Sequence, residues 1–230
     1  MHEWAARVSR DWPPFHSESR GGWWFGRAEG FTKRANCALV EDPAADVAEV
    51  TAFYRGHGLR PCVQVWPGEE AVDARLAEHG YAVVEPTLVL ARELVERPEG
   101  PGATRVSDNP TERWTDLFAE VGTAPDWADG VVRILGQVTA AYGVHEGGGG
   151  RGCAVLDGDS VAVCAMVTAR SARGRGVAGA VLADLLTWAH DKGARRAYLC
   201  VVAENEPALR LYRGAGFEEV SRYHNRVLAD

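Results

Sequence analysis

The sequence predicts a mixed α/β fold of the α+β kind, with sheets flanked by helices and built in two halves. Three observations predict it. Short apolar runs alternate with amphipathic stretches of helical length, the pattern of a sheet covered by helices. A strand–helix–glycine–aromatic unit occurs twice at a constant offset of 136 residues. Cys62-Val63-Gln64-Val65, Leu76 and Gly80-Tyr81 align without a gap on Tyr198-Leu199-Cys200-Val201, Tyr212 and Gly216-Phe217. Such internal repetition suggests two copies of one fold, with convergent patterning as the alternative. Finally, 230 residues, 46% of them hydrophobic, suffice for one or two small domains.

In the first half, residues 23–27 and 31–40 read as a hairpin. Residues 46–57 read as a helix, 62–66 as a strand, 70–79 as a helix and 81–90 as a strand. Residues 96–103, with prolines and glycines among charges, read as a weakly structured linker. It divides an N-terminal half, 1–95, from a C-terminal half, 104–230. In the second half 104–106 is a short strand, and Asn109-Pro110 opens a helix carrying Trp114, Leu117 and Phe118. A helix over 127–138 and a strand over 140–144 follow. Residues 147–150 make a flexible glycine turn. Residues 153–156 and 161–168 form a hairpin across Asp157-Gly158-Asp159, because Asp-Gly suits a tight turn. Residues 177–190 form a long helix, 198–202 a buried strand, 206–214 a short helix and 217–227 a final strand.

Composition narrows the function. The formal charge of -7 argues against nucleic acid and anionic membranes as partners. No apolar run approaches the roughly 20 residues of a membrane span. Residues 1–12 mix charges and aromatics without an apolar signal core, so a cytoplasmic protein is expected. Cys37, Cys62, Cys153, Cys164 and Cys200 are widely spaced, with no C-x-x-C and no histidine at ligand spacing, which suggests thiols in a reducing compartment and no metal.

The chemistry concentrates in Arg170-Ser171-Ala172-Arg173-Gly174-Arg175-Gly176-Val177-Ala178. A strand ends, a glycine- and arginine-rich loop follows, and a long helix begins. Glycines let backbone N–H groups converge, and the helix terminus adds about half a positive charge. Arg173 and Arg175 add full charges that suit phosphate oxygens. These parts make a pyrophosphate cradle; a solvated Arg-Gly loop is the bland alternative. Residues 174–179 also spell G-x-G-x-x-G, but Arg170 to Arg173 intervene after the strand, which the dinucleotide fingerprint does not allow. No Walker lysine loop exists.

Arg173-x-x-Gly176-x-Ala178 resembles the phosphate loop of the GCN5-related N-acetyltransferases. Asn205-x-x-Ala208-x-x-Leu211-Tyr212 with Gly216-Phe217 resembles the family's later N-x-x-A-x-x-L-Y-x-x-x-G-F segment. The resemblance covers roughly 104–230. The whole chain is similar to an actinobacterial-type group with a degenerate first copy, through Gly21-Gly22-Trp23, residues 30–36 and Arg222-Tyr223-His224. Some of that group are described as acetylating glutamate.

The resemblance implies tandem family-like mixed sheets with a complete C-terminal copy, and direct transfer from acetyl-CoA to a small-molecule primary amine. It implies that Met166, Val167 and Thr168 hold the pantetheine arm through their backbone. It implies that Arg173, Gly174, Arg175, Gly176, Val177 and Ala178 take the pyrophosphate, that Asn205 and Ala208 meet the arm, and that Tyr212 stands near the sulfur. The physics of the segment agrees. Asn205 suits a helix N-cap and Pro207 a first turn. Seven residues of helix set Asn205 and Tyr212 about 10 Å apart along the axis on one face. A phenol of pKa about 10 keeps its proton at neutral pH and can donate to a departing thiolate whose pKa is about 8.5. A packed core aromatic is the plainer reading.

Two departures stand out. Thr168-Ala169-Arg170-Ser171 replaces the Val-x-Pro often found before the loop. Cys200 stands where members acting on protein N-terminal amines often carry Glu. Candidate bases are His145, Glu146, Asp159, Glu204 and His224. In the first half the loop position holds Glu41-Asp42-Pro43, which repels a pyrophosphate, so one donor site per chain is expected. The first half reads as purely structural; alternatively Thr32, Arg34 and Asn36, alternating on one strand face, line the acceptor site, with Arg34 holding a carboxylate. A monomer or homodimer is expected. An acyltransferase using another acyl-CoA and a non-catalytic acetyl-CoA sensor are the alternatives.

Overall fold

The computed structural model describes residues 1–122 and 124–229. Contacts group them into two compact units. The first holds residues 1–88, 202–204 and 221–229, and the second holds 89–201 and 205–220. The units therefore do not follow the expected cut at 96–103. Two strands supply the physical reason: β5 (Tyr81–Glu93) and β11 (Glu218–Leu228) each run from one unit into the other.

The first unit contains α1 (Glu3–Asp11), β1 (His16–Arg20), β2 (Trp23–Arg27), β3 (Ala38–Val40), α2 (Val47–Gly56), β4 (Cys62–Val65) and α3 (Glu70–Glu78). Its strands run in the order β1-β2-β3-β4-β11. The β3–β4 pair is parallel, and β11 runs antiparallel to β4, with His224 opposite Val65. Trp23, Phe25, Val50, Tyr54, Val63, Leu76 and Tyr81 share its core. Asp46 caps α2 by accepting from the Ala48 N–H at 2.9 Å.

Two elements here have no counterpart in the sequence reading. Helix α1 buries Ala5, Val8 and Asp11 from a stretch rich in charge. Strand β1 is an edge strand with all five residues exposed, so no alternation marks it. The expected strand over 31–40 is corrected. Lys33–Ala35 is a 3-10 turn, and only Ala38–Val40 pairs with β2. Asn36 overrides the strand pattern. Its Oδ1 accepts from the N–H groups of Ala28 and Gly30, and its Nδ2 donates to the Thr32 carbonyl at 2.7 Å. Trp12 Nε1 also donates to Thr32 Oγ1, and Arg34 lies over the Trp12 ring. Thr32, Arg34 and Asn36 thus do not alternate along a strand face.

The second unit contains β6 (Thr104–Ser107), α4 (Glu112–Glu120), α5 (Pro125–Leu135), β7 (Ala140–His145), β8 (Gly150–Asp157), β9 (Ser160–Thr168), α6 (Val177–Asp191), β10 (Arg196–Val202) and α7 (Glu206–Gly214). Its strands run β10-β9-β8-β7-β6, with only β10–β9 parallel. Thr111 rather than Asn109 starts α4, accepting from the Trp114 N–H, so Pro110 lies just outside the helix. The hairpin across Gly158 forms as expected.

Residues 96–103 are not a loose spacer. Arg97 binds both carboxylate oxygens of Asp191, the Gly100 N–H donates to Thr187 Oγ1, and the Gly102 N–H donates to Asp184 Oδ1. A side chain at Gly100 would meet Asp184 Oδ1 at 2.2 Å, so a glycine is needed for this close approach to α6.

Helices α3 and α7 start and stop 136 residues apart, and each is followed by a glycine at φ near +80°, Gly80 and Gly216. The repeat seen in the sequence is thus a repeat of local backbone geometry.

Candidate functional site

The second unit opens a cleft between its two parallel strands. β10 pairs with β9 only from Arg196↔Ser160 to Tyr198↔Ala162, although β9 continues to Thr168 and β10 to Val202. A bulge in β9 lies at the divergence. Between the pairs Cys153↔Cys164 and Arg151↔Val167, β8 has one residue, Gly152, and β9 has two, Ala165 and Met166. Ala165 takes φ +49°, a conformation costly for a residue with a side chain. The extra residue interrupts the ladder of β9 and bends the strand.

Close packing positions the helix beyond the strand. A side chain at Gly150 would meet Val177 at 2.2 Å, and one at Gly152 would meet the Met166 sulfur at 2.3 Å. Helix α6 therefore begins hard against β8. Its N-cap is Gly176 at φ +77°, with no side chain capping the first turn. The N–H groups of that turn have no intrahelical acceptor, so this end is built to receive an anion. Gly174 at φ +73° completes the turn, and Arg173 Nε donates to the Thr168 carbonyl at 3.4 Å.

A cavity of about 490 Å³ joins these parts to α7. Of the residues singled out in the sequence, Met166, Thr168, Arg173, Gly174, Gly176, Val177, Ala178, Asn205, Ala208 and Tyr212 line it. Val167 and Arg175 do not: Val167 pairs across to Arg151, and Arg175 is exposed on the loop. Arg34 and Asn36 belong to the first unit. The lining also includes Ala172, Gly179, Pro207 and Leu211, which lie within the quoted motifs but were given no binding role from sequence. Nothing in the sequence flags Ala165, because a left-handed position ordinarily asks for Gly or Asn.

Asn205 Oδ1 accepts from the Ala208 N–H at 3.2 Å and caps α7, so the amide edge that remains to reach a ligand is Nδ2. Tyr212 is buried, with its ring edge-on to Phe217. Burial pushes its phenol up to about 12, and the nearby Cys164 thiol adds to the rise. The hydroxyl therefore stays protonated across the neutral range.

The base candidates are scattered. Asp159 is tied into a turn by Arg196, and the Glu146 N–H pairs with the Ala103 carbonyl. His224, in the first unit, is held by a carboxylate: its Nε2 lies 2.7 Å from Asp73 Oδ1, while Arg226 grips both oxygens of Asp73. This pairing holds the Asp73 carboxyl down at about 2. Asp73 and His224 border a separate first-unit cavity of about 390 Å³ walled by Trp66 and Tyr223. Among the described residues no cluster of His, Cys, Asp and Glu is suited to a metal, and no helix is long and apolar enough to cross a membrane.

A parallel pair splayed at a bulge, opening onto an uncapped glycine–arginine helix terminus, defines an acetyltransferase of the GCN5-related type. The chain belongs to the family described as "Probable histone acetyltransferase Rv0428c C-terminal", whose model matches residues 3–226. It is similar to the "Uncharacterized N-acetyltransferase YobR" of Bacillus subtilis (strain 168), 27% identical over 236 residues, covering 96% of this chain and 95% of that protein. Among solved structures it resembles a GCN5-related N-acetyltransferase from Kribbella flavida, with TM-score 0.70, 17% identity and coverage of 100% and 97%. It also resembles a "Tandem GNAT protein from the clavulanic acid biosynthesis pathway (without AcCoA)", with TM-score 0.60, 13% identity and coverage of 97% and 86%.

Proposed function

We propose that the protein transfers an acetyl group from acetyl-CoA to a small-molecule primary amine, with amino acids among the acceptors. The observation that carries this reading is the cavity in which β9, the uncapped start of α6 and Tyr212 converge. The residues fit the donor. Gly174 and Gly176 in left-handed conformations expose backbone N–H groups, and Arg173 supplies charge for a pyrophosphate. Met166, Thr168 and Asn205 offer polar backbone and amide groups to an extended arm. When bound, acetyl-CoA supplies an acetyl group activated as a thioester.

In this reading the acceptor nitrogen bonds to the acetyl carbon, the carbon–sulfur bond breaks, and the sulfur takes a proton. Tyr212 holds that proton. Full transfer from an acid near 12 to a thiolate near 8.5 would be uphill by about 5 kcal/mol. The same burial that raises the phenol also penalises a thiolate beside it, so the two affinities converge inside the cleft. The amine attacks in its neutral form and gives up one N–H proton to water or a base as the amide forms, which balances the proton the sulfur takes from Tyr212 and allows the phenol to be reprotonated.

The first half is in this reading a degenerate second copy, supported by the matched frames of α3 and α7. Its loop carries Glu41 and Asp42 where a donor would bring phosphates, so one donor site per chain is proposed, in a cytoplasmic protein. Cys200 in place of a glutamate favours a small acceptor over a protein N-terminus. A thiol-release screen of amino acids, polyamines, aminoglycosides and peptides tests the reading. Acetyl-CoA-dependent release with a small amine supports it, and release with peptides alone overturns it.

A further inference from the structure

The cavity of about 390 Å³ lies wholly within the first unit and shares no lining residue with the donor cavity. Its volume suits a small molecule, and most of its wall is apolar. Trp66 and Tyr223 make one side, with ring centroids 4.6 Å apart. Val83, Pro86 and Leu88 of β5 make another. The aromatic wall is fixed, because Trp66 Nε1 donates to Gln64 Oε1 at 3.0 Å.

Charged groups converge at this wall. Glu70 and Asp73 stand three residues apart on α3, on one face of the helix. Arg222 and His224 stand two apart on β11, hence on one face of the strand, and His224 reaches Asp73. All four border the cavity. Asp73 is already matched: its carboxyl titrates at about 2, and Arg226 binds both its oxygens, so these two charges cancel. An ionised carboxylate only accepts, so His224 Nε2, 2.7 Å away, donates to it. The neutral ring then presents Nδ1 as an acceptor, and among the described residues Nδ1 has no partner. Glu70 Oε1 accepts from the Gly68 N–H at 3.0 Å, which anchors this second carboxylate at the start of α3.

What remains for a ligand is one carboxylate, one guanidinium and one imidazole acceptor beside an aromatic wall. A simple cation would meet Arg222, and a simple anion would meet Glu70. A molecule that carries both charges close together, with an apolar group attached, satisfies the whole set.

We propose that this cavity binds a free α-amino acid with an apolar side chain, its ammonium to Glu70 and His224 Nδ1, its carboxylate to Arg222 and its side chain against Trp66 and Tyr223. Binding there needs no acetyl-CoA, so the proposal stands apart from the transfer reading. It also gives one task to Arg222-Tyr223-His224, which the donor cavity does not use.

Calorimetry of the full chain without acetyl-CoA tests it. The ligands are L-phenylalanine and L-leucine, the amines lacking their carboxylate (phenethylamine and 3-methylbutylamine), and the acids lacking their amine (3-phenylpropionate and 4-methylpentanoate). At least one amino acid should bind once per chain, at least about tenfold tighter than either truncated form, in line with a charged hydrogen bond at each end. Arg222→Gln should remove the preference over the amine and keep the preference over the acid. Glu70→Gln should reduce the preference over the acid and keep that over the amine. Both side chains are exposed, so neither change threatens the fold. Val83, a lining residue that is 46% exposed, gives the blocking variant: Val83→Trp should fill the cavity and abolish amino-acid binding. Failure of every amine to release thiol from acetyl-CoA would overturn the transfer reading and leave this binding contrast standing. No saturable binding of either amino acid, equal binding of a truncated form, or wild-type affinity in Val83→Trp with an unchanged melting temperature would overturn the proposal.

Discussion

Two helix starts in this molecule sit at matching places in the strand–helix pattern and differ in chemistry. Ahead of α2 the chain runs Glu41-Asp42-Pro43, and its own carboxylates meet its backbone donors. Asp42 Oδ1 accepts from the Ala44 N–H, and Asp46 caps the helix. Ahead of α6 it runs Arg173-Gly174-Arg175-Gly176, no side chain caps the first turn, and the glycines hold left-handed conformations. One terminus is internally satisfied and negative. The other is left open and positive. The difference teaches that a helix start after a strand does not by itself make a site; it becomes one where the sequence withholds its own caps.

The largest effect should come from the feature with no first-unit counterpart. The residue 136 positions before Tyr212 is Leu76, on α3, which is fully buried. Tyr212→Phe keeps the ring against Phe217 and removes only the hydroxyl. General acid catalysis is worth about 10²–10⁴-fold, so kcat should fall at least about tenfold even with partial rescue by water. Acetyl-CoA affinity should hold, because in the proposed role the hydroxyl acts only as the sulfur leaves. Near-wild-type kcat with chemistry rate-limiting would leave Tyr212 as scaffold.

Gly176→Asp converts the open terminus toward the closed one. Acetyl-CoA Kd, measured by calorimetry on folded variant, should rise about tenfold or more, since a carboxylate would face phosphate. A Cβ at this position meets no atom within 4 Å, so the cost is the added charge and the φ of +77° rather than steric filling of the cradle. Gly176→Ala separates the two: it bears the backbone cost alone and should weaken binding less.

A smaller effect sharpens the first unit. Asp73 titrates at about 2 because Arg226 and then His224 hold its anion. An unfolded aspartate titrates at about 3.9. The folded value is the lower, so this contribution to stability is complete above the unfolded value and is lost as pH falls through about 2. Asp73→Asn should therefore lower the melting temperature at pH 7 and differ less from the wild type near pH 2. An equal deficit at both pH values would remove the ion pair as its cause. The smallest expected change is Gly100→Ala. Its side chain would strike Asp184, costing about 1–3 kcal/mol of stability with no change in acetyl-CoA affinity.

Much of the second unit was legible because its signals are local. Periodicity marks α6, Asp157-Gly158 marks its hairpin, and Asn205 with Pro207 marks the start of α7. What stayed hidden depends on contacts distant in sequence. Strand β1 is an edge with no buried face, and Asn36 breaks a strand pattern through bonds to Ala28 and Gly30. The bulge at Ala165 shows only in the register between β8 and β9. Arg151 lies just ahead of the strand that the sequence marks at 153–156, as one charge between glycines. Its guanidinium packs on Trp114 and Phe118, more than 30 residues upstream.

The central claim is that the chain binds its donor only at the open terminus, and calorimetric titration of the full chain with acetyl-CoA tests it most directly. The account predicts one acetyl-CoA per chain in the wild type and in Leu76→Tyr, with binding weakened by Gly176→Asp. Two molecules per chain, or wild-type affinity in folded Gly176→Asp, would contradict it.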